Sequence, residues 1–301
     1  MTRIDSLPLT PFTARQALQA GLSRTRLRAA LQDHLIVRLL RGVYLRADVE
    51  PTELVRAQAA ALVTGPHMVV CDRTAAWIHG VRTFDYWELD VVVPLELYAL
   101  RRHEPTRRSG CDGGTRDLQP EDWFELGGVR ITTPARTAMD LGCKLSRRRA
   151  LAAMDALMRG HAFTELELRR MLPRYHRRRG VVQLRQLVPL VDPRAESPSE
   201  SWTRLEIIDN GLPAPTPQYW VLVDGVPTYR LDLAYPHARI AIEYDGVEFH
   251  SDADARANDE ERRAWLRAHG WTVIVLDLHS FSVDAIVAWI GLLRAALRLT
   301  P

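Results

Sequence analysis

The segment Leu231-Asp232-Leu233-Ala234-Tyr235-Pro236 leads through His237 and Ala238 into Arg239-Ile240-Ala241-Ile242-Glu243-Tyr244-Asp245-Gly246-Val247-Glu248-Phe249-His250. The reading of these twenty residues decides the C-terminal fold. Alternation at period two makes each half a β-strand. Leu231 and Leu233 point one way and Asp232 the other; Ile240, Ile242 and Tyr244 share one face, while Ala241, Glu243 and Asp245 share the opposite one. A connection as short as Pro236-His237-Ala238 makes the strands neighbours, so Asp232, Glu243 and Asp245 converge on one side of a sheet. Such a cluster repels itself unless a cation sits in it. Oxygen ligands of this kind suit Mg²⁺ or Mn²⁺, metals that position water against phosphates. The plainer alternative is a sheet face that happens to carry acids, since alternation makes i,i+2 acid pairs common. Asp232, the Asp245-Gly246 turn and His250 tip the balance toward a site.

Working outward, the last hundred residues read as α-β-β-β-α-β. Pro189, Pro193 and Pro198 break any helix and set a boundary between Val188 and Ser199. Ser199 is then expected to cap a helix over Glu200–Asn210. Tyr219–Val223 and Thr228–Leu233 form a hairpin about Asp224-Gly225, and 239–245 is a third strand. A helix over about 253–269 and a strand over 271–276 complete the set.

The charge is unevenly spread. The 301 residues carry a net charge of +3, but from residue 191 onward there are 17 acids and 10 arginines, a balance of −7. The first 190 residues hold the remaining 30 basic and 20 acidic residues, +10. The N-terminal part can therefore supply an electrostatic grip on nucleic acid that an acidic module lacks. Lys144 is the sole lysine. No apolar run approaches the ~20 residues of a membrane span, and no signal-peptide pattern opens the chain. Cys71, Cys111 and Cys143 are widely spaced, with no CxxC pair, which points to reduced thiols and a cytoplasmic setting without membrane.

Near the N-terminus, Thr13 caps a short helix over Ala14–Ala20, Gly21 ends it, and Ser23 caps a second over Arg24–Gln32. That second helix turns Leu27 and Leu31 to the core and presents Arg24, Arg26 and Arg28. Ile36–Leu45 is a hairpin with Gly42 at or near its turn and Arg41 beside it. Two short helices joined at a glycine, followed by a basic hairpin, follow the plan of a winged helix-turn-helix, with DNA as the partner. The competing reading is a small helical subdomain with solvated arginines. Between residues 51 and 188 the pattern is mixed α/β. Helices are expected over Leu54–Val63, Thr74–His79 and about 134–143, 146–159 and 164–172, and strands at Leu89–Pro94 and Val129–Thr132.

The N-terminal part resembles AbiEi-type antitoxins, through Gly21-Leu22-Ser23 and Leu39-Leu40-Arg41-Gly42-Val43-Tyr44. The likeness continues over Cys71-Asp72-Arg73-Thr74-Ala75-Ala76-Trp77-Ile78-His79-Gly80 and Ile131-Thr132-Thr133-Pro134-Ala135-Arg136-Thr137-Ala138-Met139-Asp140-Leu141. It implies DNA binding and a cognate toxin as partner. Little chain precedes Pro11, so the first helix of a full winged domain is expected to be short or absent.

Residues 196–280 resemble the PD-(D/E)XK nuclease superfamily, most closely very-short-patch-repair-type endonucleases. The likeness rests on Glu196-Ser197-Pro198-Ser199-Glu200-Ser201, Arg230 to Pro236, Ile242-Glu243-Tyr244-Asp245-Gly246, Phe249-His250, Asp259-Glu260-Glu261-Arg262-Arg263 and Gly270-Trp271-Thr272-Val273. It implies Asp232 as principal metal ligand with Glu243 or Asp245 beside it, His250 orienting the attacking water, Glu200 facing the site, and Mg²⁺ or Mn²⁺ as cofactor. Arg262 is placed to reach a phosphate. The superfamily's lysine is absent: its slot holds Asp245, which removes a cation that would stabilise the transition state.

The organisation expected is therefore a winged helix-turn-helix-like region over 1–50, an AbiEi-like α/β region over 51–188 and a restriction-endonuclease-like α/β domain over 189–301. Two functions compete: a metal-dependent DNA endonuclease, and an AbiEi-like antitoxin or transcriptional regulator carrying an inactive nuclease fold. Oligomeric state is not legible in the chain.

Overall fold

The computed structural model describes residues 7–83, 95–107, 109–245 and 253–298. The described residues are mixed α/β, with three separate sheets among them. It divides into two units: Met1–Leu145 with Gly160–Pro189, and Ser146–Arg159 with Leu190–Pro301. The second unit thus takes one helix from the middle of the sequence.

The first unit begins with β1 (Phe12–Thr13), α1 (Ala14–Gln19), α2 (Arg24–Gln32), β2 (Ile36–Leu40) and β3 (Val43–Arg46). Thr13 caps α1 in a reciprocal box with Gln16, and the Ser23 hydroxyl accepts the Arg26 N–H at 3.2 Å to start α2. Gly42 turns the β2–β3 hairpin in the left-handed region, φ 79°. The three strands lie in the order β1-β3-β2, and Leu22, Leu27, Ala30, Ile36 and Tyr44 bury a small core.

The rest of this unit is built from α3 (Glu53–Ala61), β4 (Met68–Val70), α4 (Asp72–Ile78), β5 (Leu95–Leu100), β6 (Cys111–Arg116), β7 (Trp123–Leu126), β8 (Val129–Thr132) and α5 (Pro134–Lys144), and later α7 (Glu165–Met171) and α8 (Val181–Leu187). The strands form one sheet in the order β6-β5-β4-β8-β7, with β4 parallel to β8 and β5 parallel to β6. Val70, Ala75, Ile78, Leu97 and Ile131 anchor its core. The strand expected at Leu89–Pro94 lies outside the described residues.

The second unit contains α6 (Arg147–Gly160), α9 (Pro198–Asp209), β9 (Thr216–Val223), β10 (Val226–Tyr235), β11 (Ile240–Tyr244), α10 (Ala253–Ala268), β12 (Thr272–Leu276) and α11 (Val283–Arg298). Its sheet runs β12-β11-β10-β9, with β10 antiparallel to both β9 and β11 and β12 parallel to β11. Ile240, Ile242, Leu233 and Tyr235 bury one core with Ile207 of α9 and Trp289, Ile290 and Leu293 of α11. Ala234 and Ala241 face a second core holding Leu266 of α10, and Leu231 packs there rather than with Leu233. α9 begins earlier than its expected cap: Ser197, not Ser199, accepts the Glu200 N–H, at 3.2 Å, because Pro198 is accommodated at the first helical position. α6 is held in this unit by ions. Arg147 grips Asp209 at 2.7 Å, Arg148 reaches Glu206 at 2.5 Å, and buried Asp155 accepts from Ser201 and Arg204, both at 2.7 Å.

Candidate functional site

Three sets of side chains are candidates for a functional site. The first is on α2 and its hairpin. Burying Leu27 and Ala30 turns Arg24, Arg26 and Arg28 outward, and all three are exposed, as are Arg38 on β2 and Arg41 at the hairpin turn. This leaves a cationic face on an element whose apolar side is satisfied.

The second is the carboxylate cluster of the second unit. The β10–β11 register pairs Leu233 with Ile242, so Asp232 falls opposite Glu243 on the same sheet face. Asp232 is partly buried and its Oδ2 accepts the Tyr244 N–H at 3.0 Å. Burial pushes its carboxyl up to about 6, and Glu200 and Glu243 push the same way, against the hydrogen bond from Tyr244 and the charge of Arg262. Glu200 is buried on α9, where its Oε2 accepts the Glu196 N–H at 2.9 Å and the Gln218 amide at 2.7 Å. Asp232 and Glu243 thus face the same way on neighbouring strands, and Glu200 acts on Asp232 only as a nearby charge from α9.

Arginines from α10 occupy the rest of the space. Both terminal nitrogens of Arg262 donate to Glu243, at 2.6 and 3.0 Å. Arg263 donates to Glu243 at 3.3 Å and to Asp245 at 3.1 Å. Arg262 therefore lies on a buried carboxylate instead of reaching into solvent, and it pairs with Asp259 at 3.5 Å. Among the described residues, no three acidic, histidine or cysteine side chains are grouped to share one ion. The donor set does not fit a divalent cation in this arrangement, because the oxygens of Glu243 are already taken by two guanidiniums. His250 lies outside the described residues.

The third set lies in the first unit and carries no local motif that marks it as a site. Asp72, Glu96, Asp122 and Asp140 are all essentially buried, and each is bound by cations. Arg116 holds Asp72 through both terminal nitrogens, at 2.7 and 3.0 Å, and reaches Asp140 at 2.7 Å. Lys144 bridges Asp72 at 2.8 Å and Glu96 at 2.6 Å. Arg136 joins Asp140 at 3.1 Å to Asp122 at 2.8 Å. Arg178 and the Tyr175 hydroxyl complete the shell of Asp140 at 2.8 and 2.7 Å, and Arg174 donates to Asp122 at 3.0 Å. Burial pushes the Asp72 carboxyl up, but Arg116 and Lys144 outweigh it and bring it down to about 2. Asp72 adopts φ 52° at the first turn of α4, a left-handed conformation that a non-glycine residue holds only when its surroundings fix it. The signal available in the sequence is the i, i+4, i+8 spacing of Arg136, Asp140 and Lys144 on α5, which puts them on one face. Their partners come from the start of α4, from β5 and β6 and from two short turns, which no local pattern joins to α5.

The mixed sheet with this ion lattice carries a family assignment: residues 68–190 match the AbiEi antitoxin C-terminal domain. Two Mycobacterium tuberculosis proteins are similar over most of the chain. Uncharacterized protein MT2308 of strain CDC 1551 / Oshkosh is 34% identical over 257 residues, covering 84% of this chain and 89% of its own length. Uncharacterized protein Rv2248 of strain ATCC 25618 / H37Rv matches with the same identity and coverage. The chain belongs to one family with these mycobacterial proteins and carries an AbiEi antitoxin C-terminal domain within it. Asp72, Arg136 and Asp140 fall within the two stretches whose likeness to AbiEi antitoxins is visible in the sequence, and the lattice is where they meet. Among the described residues no helix is long and apolar enough to cross a membrane.

Proposed function

We propose that this chain is a DNA-binding regulator of the AbiEi antitoxin type, acting in the cytoplasm with a cognate toxin as protein partner. In this reading α1, α2 and the β2–β3 hairpin work as a winged helix-turn-helix, and Arg24, Arg26, Arg28 and Arg41 contact DNA phosphates. The match of residues 68–190 to an antitoxin domain carries the proposal, and the exposed arginine face of α2 supports its DNA-binding half. Anisotropy titrations on duplex from the chain's own upstream region, repeated across salt, test it. Removing one arginine–phosphate pair lowers the slope of log K against log salt by about 0.9. Arg24→Ala, Arg26→Ala and Arg28→Ala together should therefore flatten the slope by about 2.7. Failure of the wild type to bind duplex at low salt, or a triple variant that binds unchanged, sinks the reading.

A second reading is supported by Asp232 and Glu243 sharing one sheet face, with the charge of Glu200 acting on Asp232. Here the second unit is an endonuclease-like module. Mg²⁺ or Mn²⁺ would be held by Asp232, Glu243 and Asp245, and would supply a Lewis acid for phosphodiester hydrolysis in DNA; His250 would serve the attacking water. The side chains of Arg262 and Arg263 must first leave the carboxylates, so no step is derived through the metal. Plasmid nicking in Mg²⁺ and in Mn²⁺, with Asp232→Ala and His250→Ala as controls, decides between an active module and a scaffold. Absence of cleavage by the wild type in both metals leaves the scaffold.

A further inference from the structure

The ion lattice of the AbiEi domain does not end inside the protein. Its arginines form the wall of an open cavity of about 590 Å³, within the range typical of small-molecule sites. Among the described residues that wall contains Arg116, Arg136, Arg174 and Arg178, with Asp117 the one acid. Tyr98, Thr115 and Gln119 add an aromatic ring and neutral hydrogen-bonding groups. The order of layers is informative. Asp122 and Asp140 are 1% exposed or less in their side chains, while those of Arg174 and Arg178 are 35% and 30% exposed. An incoming ligand meets the arginines with Asp122 and Asp140 sealed behind them and Asp117 as the one acid beside them. Asp140 is shared by Arg116, Arg136 and Arg178, and Asp122 by Arg136 and Arg174. Behind them Lys144 and Arg116 share Asp72, and Lys144 also takes Glu96. Among the described residues, four arginines and one acid, Asp117, face the cavity, and Arg174 also reaches the exposed Glu121 at 3.8 Å.

Buried ion pairs are not an economical way to hold a fold together, since apolar residues of similar volume serve as well or better. Here the acids do something else: they fix the guanidinium planes. Contacts to buried acids use two of the five N–H donors of Arg174 and one of those of Arg178; the exposed Glu121 paired with Arg174 is a surface acid that a ligand anion would displace. Planar forks set in advance recognise tetrahedral, multiply charged oxyanions without an ordering cost. The Arg116 guanidinium stacks on Tyr98 with 3.5 Å to the ring centroid, giving a flat surface next to the anion positions.

We propose that this cavity binds the phosphate groups of a nucleotide, either free or at the end of a nucleic-acid strand, with Arg174 and Arg178 as the cations that meet it first. The proposal is independent of the arginine face on α2. Calorimetric titration of the full chain tests it with ADP, with pyrophosphate, and with a short single strand carrying a 5′-phosphate or a 5′-hydroxyl. ADP or the 5′-phosphorylated strand is expected to bind, with pyrophosphate competing. Binding should weaken at least tenfold in Arg174→Gln combined with Arg178→Gln. If that pair melts early, the single Arg178→Gln, at a part-exposed position, takes its place with a smaller loss expected. ADP binding without strand binding identifies a free nucleotide as the source; preference for the 5′-phosphorylated over the 5′-hydroxyl strand identifies a strand end. No heat with any probe at millimolar concentration overturns the site. So does equal binding of both strands without ADP binding, or affinity that survives in a well-folded variant.

Discussion

Asp232 and Asp72 are aspartates in different units, and their surroundings drive them in opposite directions. Asp232 is raised from near 3.8 to about 6 by burial beside two other acids. Between those values the folded chain keeps a proton that the unfolded chain has released, so stability falls as pH rises through this window and stays lower above it. Asp232→Asn keeps an acceptor for the Tyr244 N–H and removes the penalty. It should raise the melting temperature above pH 6, by a gain of no more than about 3 kcal/mol, and the gain should vanish near pH 4. A melting series across pH checks this; a variant less stable at pH 7 would show that the carboxylate is needed charged. Asp72 behaves in the usual way for a paired acid: lowered to about 2, it contributes stability above pH 4 that is lost as pH falls through 2. Asp72→Asn leaves Arg116 and Lys144 short of a buried partner, and denaturant unfolding should show a loss of roughly 3–5 kcal/mol.

At the scale of elements, the caps provide the sharpest comparison. Ser197→Ala removes the hydroxyl that starts α9 and should cost about 1 kcal/mol. Ser199→Ala, whose hydroxyl only meets that of Ser197 at 3.2 Å, should cost less; equal losses would put the cap back at residue 199. Gly180 opens α8 at φ 82°, where an added Cβ would lie 2.0 Å from the Cys143 carbonyl oxygen. Gly180→Ala should therefore destabilise by about 3 kcal/mol or more, both from the φ and from displaced backbone. Elements with strong local signals are legible in the sequence: Ser23 before α2, Gly42 in the hairpin, the alternation that places Asp232 and Glu243 on one face. β4, three residues long, and β6, Cys111-Asp112-Gly113-Gly114-Thr115-Arg116, show no alternation and are defined by neighbours in the sheet. α11 lies beyond the α-β-β-β-α-β plan, although its Ile286, Trp289, Ile290 and Leu293 are helically spaced. The arginines on Glu243 are invisible for another reason. Their contact depends on where α10 packs, which spacing along the chain does not encode.

For the molecule as a whole, the consequential fact is that α6, which the sequence pattern assigns to the middle region, is held by residues of the second unit. Asp155 on α6 accepts from Arg204, Ser201 and the Asp192 N–H. A fragment cut at the proline-marked boundary, 190–301, lacks this helix and leaves Arg204 buried without its carboxylate. It should be unfolded or aggregated by circular dichroism and light scattering, and a synthetic 146–160 peptide should restore ordered structure. A monomeric, cooperatively melting 190–301 fragment would show that α6 is dispensable.

The same threading sets a sequence of events during synthesis. α6 leaves the ribosome ahead of α9 and the β9–β12 sheet, with Ala150, Leu151, Met154 and Leu157 on an apolar stripe and nothing yet made to cover it in its own unit. The first unit cannot close until the segment after residue 160 arrives, and α6 waits longer still for the partners of its own unit. Newly made chains stalled between about 190 and 270 should be the form most dependent on chaperones.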